Sequence, residues 1–257
     1  MASAGKPSAS RSAALGAPPP SLKSSALTVM GSIFLLSVPT YTWAASHLSL
    51  GMSAIAAAAA LLLVIFGLVV AGLRHHRFER FGFANSVTAV RAALVSMVAA
   101  TVFFAEMPHD AMLWALMAIV LIALALDGVD GYLARRYQQE SELGARFDME
   151  VDALLIFCLA AAALLLDKAG PWVLLIGAMR YLFVLAQYPL PQLNGALPPS
   201  FRRKAICVVQ VSVLCLILVP GIAPPVSSWL AAMALGLLTY SFAVDSLFLL
   251  RRQDRGE

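Results

Sequence analysis

Apolar runs recur along the whole chain, and their lengths suit helices that cross a lipid bilayer. A transmembrane helix needs about 20 mostly apolar residues, and its backbone polar groups are satisfied within the segment. Only 12% of the residues are charged, about half the fraction of a typical soluble domain. We therefore expect an all-α integral membrane protein. The predicted spans are residues 26–45, 52–73, 84–106, 110–135, 146–167, 170–188, 204–220 and 227–250.

Basic residues are distributed unevenly between the two ends of these spans. Of the 18 Lys and Arg residues, all except Lys168 fall on one side when the spans are threaded in order. The positive-inside rule makes that side cytoplasmic and places both termini there. Because the cations mark span ends and form no separate patch, we expect no nucleic-acid partner. The expected location is a bacterial inner membrane, in contact with its lipids.

The composition divides the chain into four parts. Residues 1–25 are rich in Ala, Ser and Pro and are predicted to be a disordered cytoplasmic tail. Residues 26–73 contain two spans without any acidic residue, which predicts an accessory transmembrane hairpin. Residues 84–250 hold the other six spans, and residues 251–257 form a short cytoplasmic tail. Any chemistry is therefore expected in the six-span part.

Four aspartates lie where the fourth predicted span ends and the fifth begins. Asp127 and Asp130 are three residues apart, and Asp148 and Asp152 are four apart, so each pair shares one face of its helix. Because a short loop joins the two spans, we expect them to lie antiparallel with the pairs converging. Four convergent carboxylates need neutralising cations, and oxygen ligands favour Mg²⁺, Mn²⁺ or Ca²⁺ over Zn²⁺.

Small residues and an arginine follow the first aspartate pair. Gly131 and Ala134 lie three residues apart and leave a smooth groove where a ligand can approach the backbone. Arg135 comes next and can pair with a phosphate. A metal site, a groove and an arginine side by side predict a site for a diphosphate.

These residues resemble the signature of the CDP-alcohol phosphatidyltransferases. That signature reads D-x-x-D-G-x-x-A-R, eight residues, then G-x-x-x-D-x-x-x-D. The resemblance covers about residues 84–250, the six-span core of the family, and leaves the first two spans as an addition. The matching positions are Asp127, Asp130, Gly131, Ala134, Arg135, Gly144, Asp148 and Asp152.

The resemblance implies a reaction and a role for each motif residue. The family moves a substituted phosphate from a CDP-linked donor to an alcohol and releases CMP. Asp152 would be the general base, and family members often dimerise, which makes a homodimer an expectation. The implied ligands of two Mg²⁺ or Mn²⁺ ions are Asp127, Asp130, Asp148 and Asp152. The implied lining of the CDP pocket is Asp127, Gly131, Ala134, Arg135 and Gly144.

A second polar patch lies at the cytoplasmic start of the third span. Asn85, Thr88 and Arg91 follow one another at three-residue spacing and share a helix face. Family members often carry a similar N-x-x-T-x-x-R there, so we expect Asn85 and Thr88 to face the nucleotide and Arg91 the acceptor. The alternative is a helix cap followed by an arginine that extends to the interface.

Further cations suggest what kind of alcohol is accepted. Arg180 lies several residues inside its span, which costs roughly a few kcal/mol unless it is paired or lines a cavity. If these cations face the pocket, the acceptor is anionic, such as glycerol 3-phosphate or inositol phosphate; anchoring at the interface is the alternative. We expect Asp245 to form a structural salt bridge with one of them. The predicted acceptor-binding residues are Arg91, Arg146, Arg180, Arg202 and Lys204.

The leading hypothesis is the transfer of a phosphatidyl group from CDP-diacylglycerol to a small polar alcohol by direct in-line attack. The alternative is a CDP-choline or CDP-ethanolamine donor with diacylglycerol as the acceptor. A cation transporter is disfavoured because its carboxylates would lie near the bilayer midplane. Many glycerol-phosphate members of the family carry a proline between the last two motif aspartates. Here the run is DMEVD, with Glu150 in the middle, which weakens assignment to that branch.

Overall fold

A computed structural model describes residues 19–48, 50–75, 78, 80–105, 110–137, 141–195 and 200–254. This part of the chain contains eight α-helices, three short 3₁₀ helices and no strand. The α-helices are α1 (Pro20–Leu48), α2 (Met52–Gly72), α3 (Phe83–Phe104), α4 (Asp110–Arg136), α5 (Glu142–Leu165), α6 (Leu174–Ala186), α7 (Phe201–Leu218) and α8 (Val226–Asp254).

Each helix falls on one of the eight predicted spans. Five of them, α1, α2, α3, α4 and α8, are long and apolar enough to cross a membrane. The segment Pro171–Ala186 is apolar but shorter, while α5 and α7 carry charged residues in their N-terminal turns. The protein is therefore an all-helical integral membrane protein, as the sequence predicts.

The first and last helices extend beyond their predicted spans. α1 begins at Pro20, so residues 20–25 are helical, although their composition assigned them to the disordered tail. Proline suits the first position of a helix because its φ angle is already helical. Leu22 and Ala26 are also fully buried, which gives this extra turn a packing surface. α8 likewise continues to Asp254, into the predicted C-terminal tail.

Helix α3 lies at the centre of the bundle. It packs against α1, α2, α4 and α5, and 67% of its span is buried, against 22–28% in the other four long spans. Many of its buried residues are alanines, and such small side chains let neighbouring helices approach closely. Within the described residues, α4 and α5 each pack mainly on α3 rather than on each other. α3 thus separates the two helices that carry the aspartates.

The two N-terminal helices are attached to the core by polar contacts as well as apolar ones. The hydroxyl group of Tyr41 in α1 donates a hydrogen bond of 2.7 Å to the carbonyl of Ala93 in α3. The amide of Phe81, just before α3, donates to the hydroxyl of Ser25 at 3.3 Å. The hairpin is therefore packed against the helix at the centre of the bundle.

Candidate active site

The start of α5 is held close to α3 by a cap and a glycine. The hydroxyl of Ser141 accepts a hydrogen bond of 3.0 Å from the amide of Gly144, which satisfies one of the free amides of the first turn. A Cβ atom on Gly144 would lie 2.5 Å from Oδ1 of Asn85 and 3.0 Å from Oγ of Ser141. Asn85 is buried, and its Nδ2 donates to the carbonyl of Phe81 at 2.5 Å. The lack of a side chain at position 144 therefore permits this close approach of the two helices.

The four motif aspartates converge on a single arginine. Nη1 of Arg91 in α3 lies 3.0 Å from Oδ1 of Asp127 and 2.9 Å from Oδ2 of Asp130, both in α4. The same nitrogen donates to Asp148, and Nη2 donates to Asp152, both in α5. The predicted convergence of the two pairs is confirmed. It occurs across α3, which packs against both α4 and α5.

Exposure divides the four carboxylates into two groups. The side chains of Asp127, Asp148 and Asp152 are 42%, 37% and 29% exposed. Asp130 is buried, and its Oδ2 lies 3.1 Å from Oγ1 of Thr88. Three carboxylates are thus open to a ligand, while the fourth faces α3.

The three open carboxylates could hold a metal ion. Asp127, Asp148 and Asp152 each offer an oxygen, and these oxygens lie within 4.8 Å of one another. Such spacing suits oxygen ligands that share a cation at about 2.0–2.6 Å. Among the described residues, Arg91 supplies one positive charge against four carboxylates, so these five side chains together carry a net negative charge when ionised. The donor atoms and the charge both fit a divalent cation. Asp130 lies outside this group of three, and its role as a ligand stays a prediction.

The residues predicted to line the CDP pocket lie at several places around the aspartate cluster. Asn85 and Gly144 adjoin each other at the α3–α5 contact. Thr88 lies against Asp130, and Gly131 follows that aspartate in α4, half-buried. The side chains of Ala134 and Arg135 lie outside the described part of the structure. The nucleotide-binding roles of these residues stay predictions.

Two predicted acceptor-binding arginines have carboxylate partners. Arg146 pairs with Glu142 at 2.7 Å, and both side chains are more than 60% exposed. Arg180 in α6 pairs with Glu150 in α5 at 2.5 Å. Glu150 therefore points towards α6 and away from the aspartate face of α5. Among the described residues, the buried Nε of Arg180 has no hydrogen-bond partner, so this arginine keeps a free donor.

Arg202 is held in a similar way at the start of α7. Its Nη2 donates to Asp245 in α8, which also lies 3.5 Å from Nη1 of Arg203. The expected structural salt bridge of Asp245 is confirmed. The guanidinium of Arg202 also lies over the ring of Tyr240, 6.0 Å from its centre, and its buried Nη1 has no partner in the described part of the protein. The side chain of Lys204 lies outside the described residues.

The sequence interpretation missed two features of this site. It did not identify Ser141 as the cap of α5, although a serine directly before a helical segment is a recognisable capping signal. It also did not place Arg91 among the four aspartates, where the structure has it; the assignment of Arg91 to the acceptor stays a prediction. The spacing of Arg91 to Asn85 and Thr88 indicated that the three residues share a face of α3. It carried no information about which helices pack against that face.

The fold and the site together define a membrane protein with a cluster of carboxylates, spaced as the ligands of a metal ion are, beside several arginines. The sequence model of the CDP-alcohol phosphatidyltransferase family matches residues 81–240. The chain belongs to this family. It is a membrane-embedded transferase of phospholipid biosynthesis.

Curated relatives agree with this assignment. Over 163 residues the chain is 29% identical to the "Probable phosphatidylglycerophosphate synthase" of Mycobacterium tuberculosis strain H37Rv, and to the protein of the same name from strain CDC 1551. Each match covers 63% of this chain and 78% of the relative. No solved structure matches the chain. The family and these relatives support phosphatidyl transfer from CDP-diacylglycerol to an alcohol.

Proposed function

We propose that this protein transfers the phosphatidyl group of CDP-diacylglycerol to a small anionic alcohol, with glycerol 3-phosphate as the first candidate. The observation that carries the proposal is the convergence of the four motif aspartates, from two helices, at one point. The acceptor is suggested by the name of the relatives, phosphatidylglycerophosphate synthase. Arg180 and Arg202 each have a buried donor without a partner among the described residues, which supports an anionic acceptor. The DMEVD run, which lacks the proline of many glycerol-phosphate members, is the feature that argues against this branch.

The cluster would hold two Mg²⁺ or Mn²⁺ ions. Asp127, Asp148 and Asp152 would be the main ligands because their oxygens converge, with Asp130 completing the set from the buried side. Bound there, divalent ions would neutralise the diphosphate and make the acceptor hydroxyl more acidic. This matters because phosphoryl-type transfer depends mainly on positioning and charge neutralisation.

The transfer itself would be a single displacement. The acceptor hydroxyl oxygen attacks the phosphorus of the phosphatidyl group while the bond from that phosphorus to the CMP oxygen breaks, and CMP leaves with the bonding electrons. Asp152 takes the hydroxyl proton as general base. Its side chain is 29% exposed, so a bound alcohol can reach it and the proton can pass on to solvent. The ion pair with Arg91 would keep Asp152 in place.

The nucleotide would lie along the groove that begins at Gly131 and continues past Ala134 and Arg135. Asn85 and Gly144 would form the other wall, at the contact of α3 with α5. The diacylglycerol part would extend from the same point into the bilayer. A site at the cytoplasmic ends of the helices suits a donor with both a diphosphate and a lipid tail.

The positive-inside pattern supports a cytoplasmic site with both termini on the same side, in a bacterial inner membrane. Residues 84–250 would form the catalytic domain, and residues 26–73 the accessory hairpin. A homodimer formed through the core helices is the expected assembly.

CMP release from CDP-diacylglycerol tests this function. Purified protein is assayed with Mg²⁺ and a panel of alcohols that includes glycerol 3-phosphate, inositol phosphate, glycerol and serine. We expect metal-dependent CMP release with one anionic alcohol, and loss of that activity in Asp148→Asn while the protein stays folded in the membrane. A parallel assay with CDP-choline and diacylglycerol covers the alternative donor. No CMP release with any alcohol, or release only in the parallel assay, would refute the proposal.

A further inference from the structure

Arg91 has an unusual position for a residue of a substrate pocket. Its side chain is only 1% exposed, yet it forms ion pairs with all four motif aspartates. It extends from α3, the helix that packs on both α4 and α5. A guanidinium with this exposure and these partners is part of the protein interior. The side chains of Arg180 and Arg202 differ in this respect, because they are 28% and 26% exposed.

The positive charge of Arg91 has a large effect on the electrostatics of the cluster. An arginine side chain stays protonated in proteins, so its charge is permanent. Like-charged carboxylates held within a few ångströms repel one another strongly at the low effective dielectric of a protein. Among the described residues, no other cation forms an ion pair with these four aspartates. In the part of the chain that the structure describes, Arg91 is therefore the group that offsets their repulsion before any metal ion binds.

Arg91 also binds the carboxylates that a metal ion would use. Asp127, Asp148 and Asp152, whose oxygens converge, all pair with its two terminal nitrogens. A divalent cation at that point would compete with the guanidinium for carboxylate oxygens and would be repelled by its positive charge. The guanidinium of Arg91 thus stabilises the assembled cluster and also opposes tight metal binding.

We propose that Arg91 is the resident counter-ion of the aspartate cluster: it holds the four carboxylates together without metal and lowers the affinity of the site for divalent cations. It is a positioning residue, and its role differs from the acceptor binding that the sequence suggested. The inference rests on the proposed function only in requiring that the cluster binds a divalent cation. With Arg91 in place, a loaded site keeps more positive charge for the diphosphate of the donor.

The test compares Arg91→Gln with Arg136→Gln. Arg136 is an exposed arginine at the end of α4, so its substitution removes one positive charge nearby without touching the cluster. Full-length protein in detergent is titrated with Mn²⁺, and free Mn²⁺ is followed by electron paramagnetic resonance. Thermal unfolding is measured with EDTA and with saturating Mn²⁺.

For Arg91→Gln we expect Mn²⁺ to bind at least about 10-fold more tightly, because a nearby like charge is removed. We also expect the unfolding midpoint in EDTA to fall by roughly 10 °C, because a buried ion-pair network is broken, with most of the loss recovered on adding Mn²⁺. Arg136→Gln should change the midpoint by no more than about 2 °C and the affinity by no more than about 2-fold. Arg91→Lys keeps the charge but offers a single nitrogen. Its Mn²⁺ affinity should therefore stay closer to the wild-type value than its unfolding midpoint does.

A second variant keeps the test decisive if Arg91→Gln does not fold. Arg91→Gln combined with Asp130→Asn removes one charge of each sign and keeps the three convergent carboxylates. It should still bind Mn²⁺ more tightly than the wild type, because no guanidinium competes for their oxygens. Unchanged or weaker Mn²⁺ binding in the folded variants would overturn the inference while leaving the transferase function intact. Absence of Mn²⁺ binding by the wild type would instead refute both this inference and the proposed metal site.

Discussion

Substitution of Gly144 by alanine tests whether the close approach of α5 to α3 positions the aspartates. The added Cβ would lie 2.5 Å from Oδ1 of Asn85, and an ordinary contact of about 3.4 Å requires roughly 0.9 Å more. Rotation of Asn85 would give up its hydrogen bond to Phe81, worth about 1 kcal/mol. Otherwise the start of α5 has to move away from α3 by most of that distance, and Asp148 and Asp152 move with it.

Gly144→Ala is expected to lower both the stability and the activity of the protein, and a different assay measures each loss. Overpacking of this kind lowers the free energy of unfolding by about 1–3 kcal/mol, which thermal or denaturant unfolding in detergent measures. A displacement near 1 Å at a reacting group costs up to about 100-fold in rate, which the rate of CMP release measures. We therefore expect Gly144→Ala to fold but to lose most of its activity.

Two further variants test whether these losses come from the contact with Asn85 or from replacing a helical glycine by alanine in general. Within the described structure, no atom lies within 4 Å of a Cβ added to Gly236 in α8. Gly236→Ala should therefore be neutral or stabilising by up to about 1 kcal/mol and fully active. Asn85→Ala removes the nearest obstacle, so the double variant with Gly144→Ala should regain about 1 kcal/mol relative to additivity. Wild-type stability and turnover in Gly144→Ala would show that the helix approach is not needed.

Three other substitutions probe separate parts of the molecule. Arg180→Ala should raise the KM for the acceptor about 10-fold and the KM for the donor much less, as steady-state kinetics would show; equal effects would count against acceptor binding. Tyr41→Phe removes the hydrogen bond to the carbonyl of Ala93 and should cost about 1 kcal/mol of unfolding free energy with kcat unchanged; a changed kcat would mean that the hairpin influences the chemistry. In Gly177→Ala the new Cβ would lie 2.5 Å from Cα of Phe157, a backbone atom that cannot rotate away. The free energy of unfolding should therefore fall by about 2–3 kcal/mol. An unchanged melting temperature would contradict the tight packing of α6 on α5.

The sequence predicted the elements of this protein well because those predictions depend on local properties. Apolar run length identified all eight helices, and spacing placed each aspartate pair on one helix face. Boundaries were less accurate. α1 begins at Pro20, earlier than predicted, because the buried positions of Leu22 and Ala26 depend on packing against neighbouring helices and not on the polar composition of the segment.

The sequence by itself also determined the reaction class, since the carboxylate motif and its spacing are a local pattern that a single chain segment carries. The tertiary structure decided which residues complete the site. α3 lies between α4 and α5, and therefore Arg91 meets the four aspartates while Glu150 and Asp245 meet other arginines. Helical periodicity specifies which side chains share a face of a helix. Which other helix packs against that face depends on how apolar surfaces pack over the whole bundle.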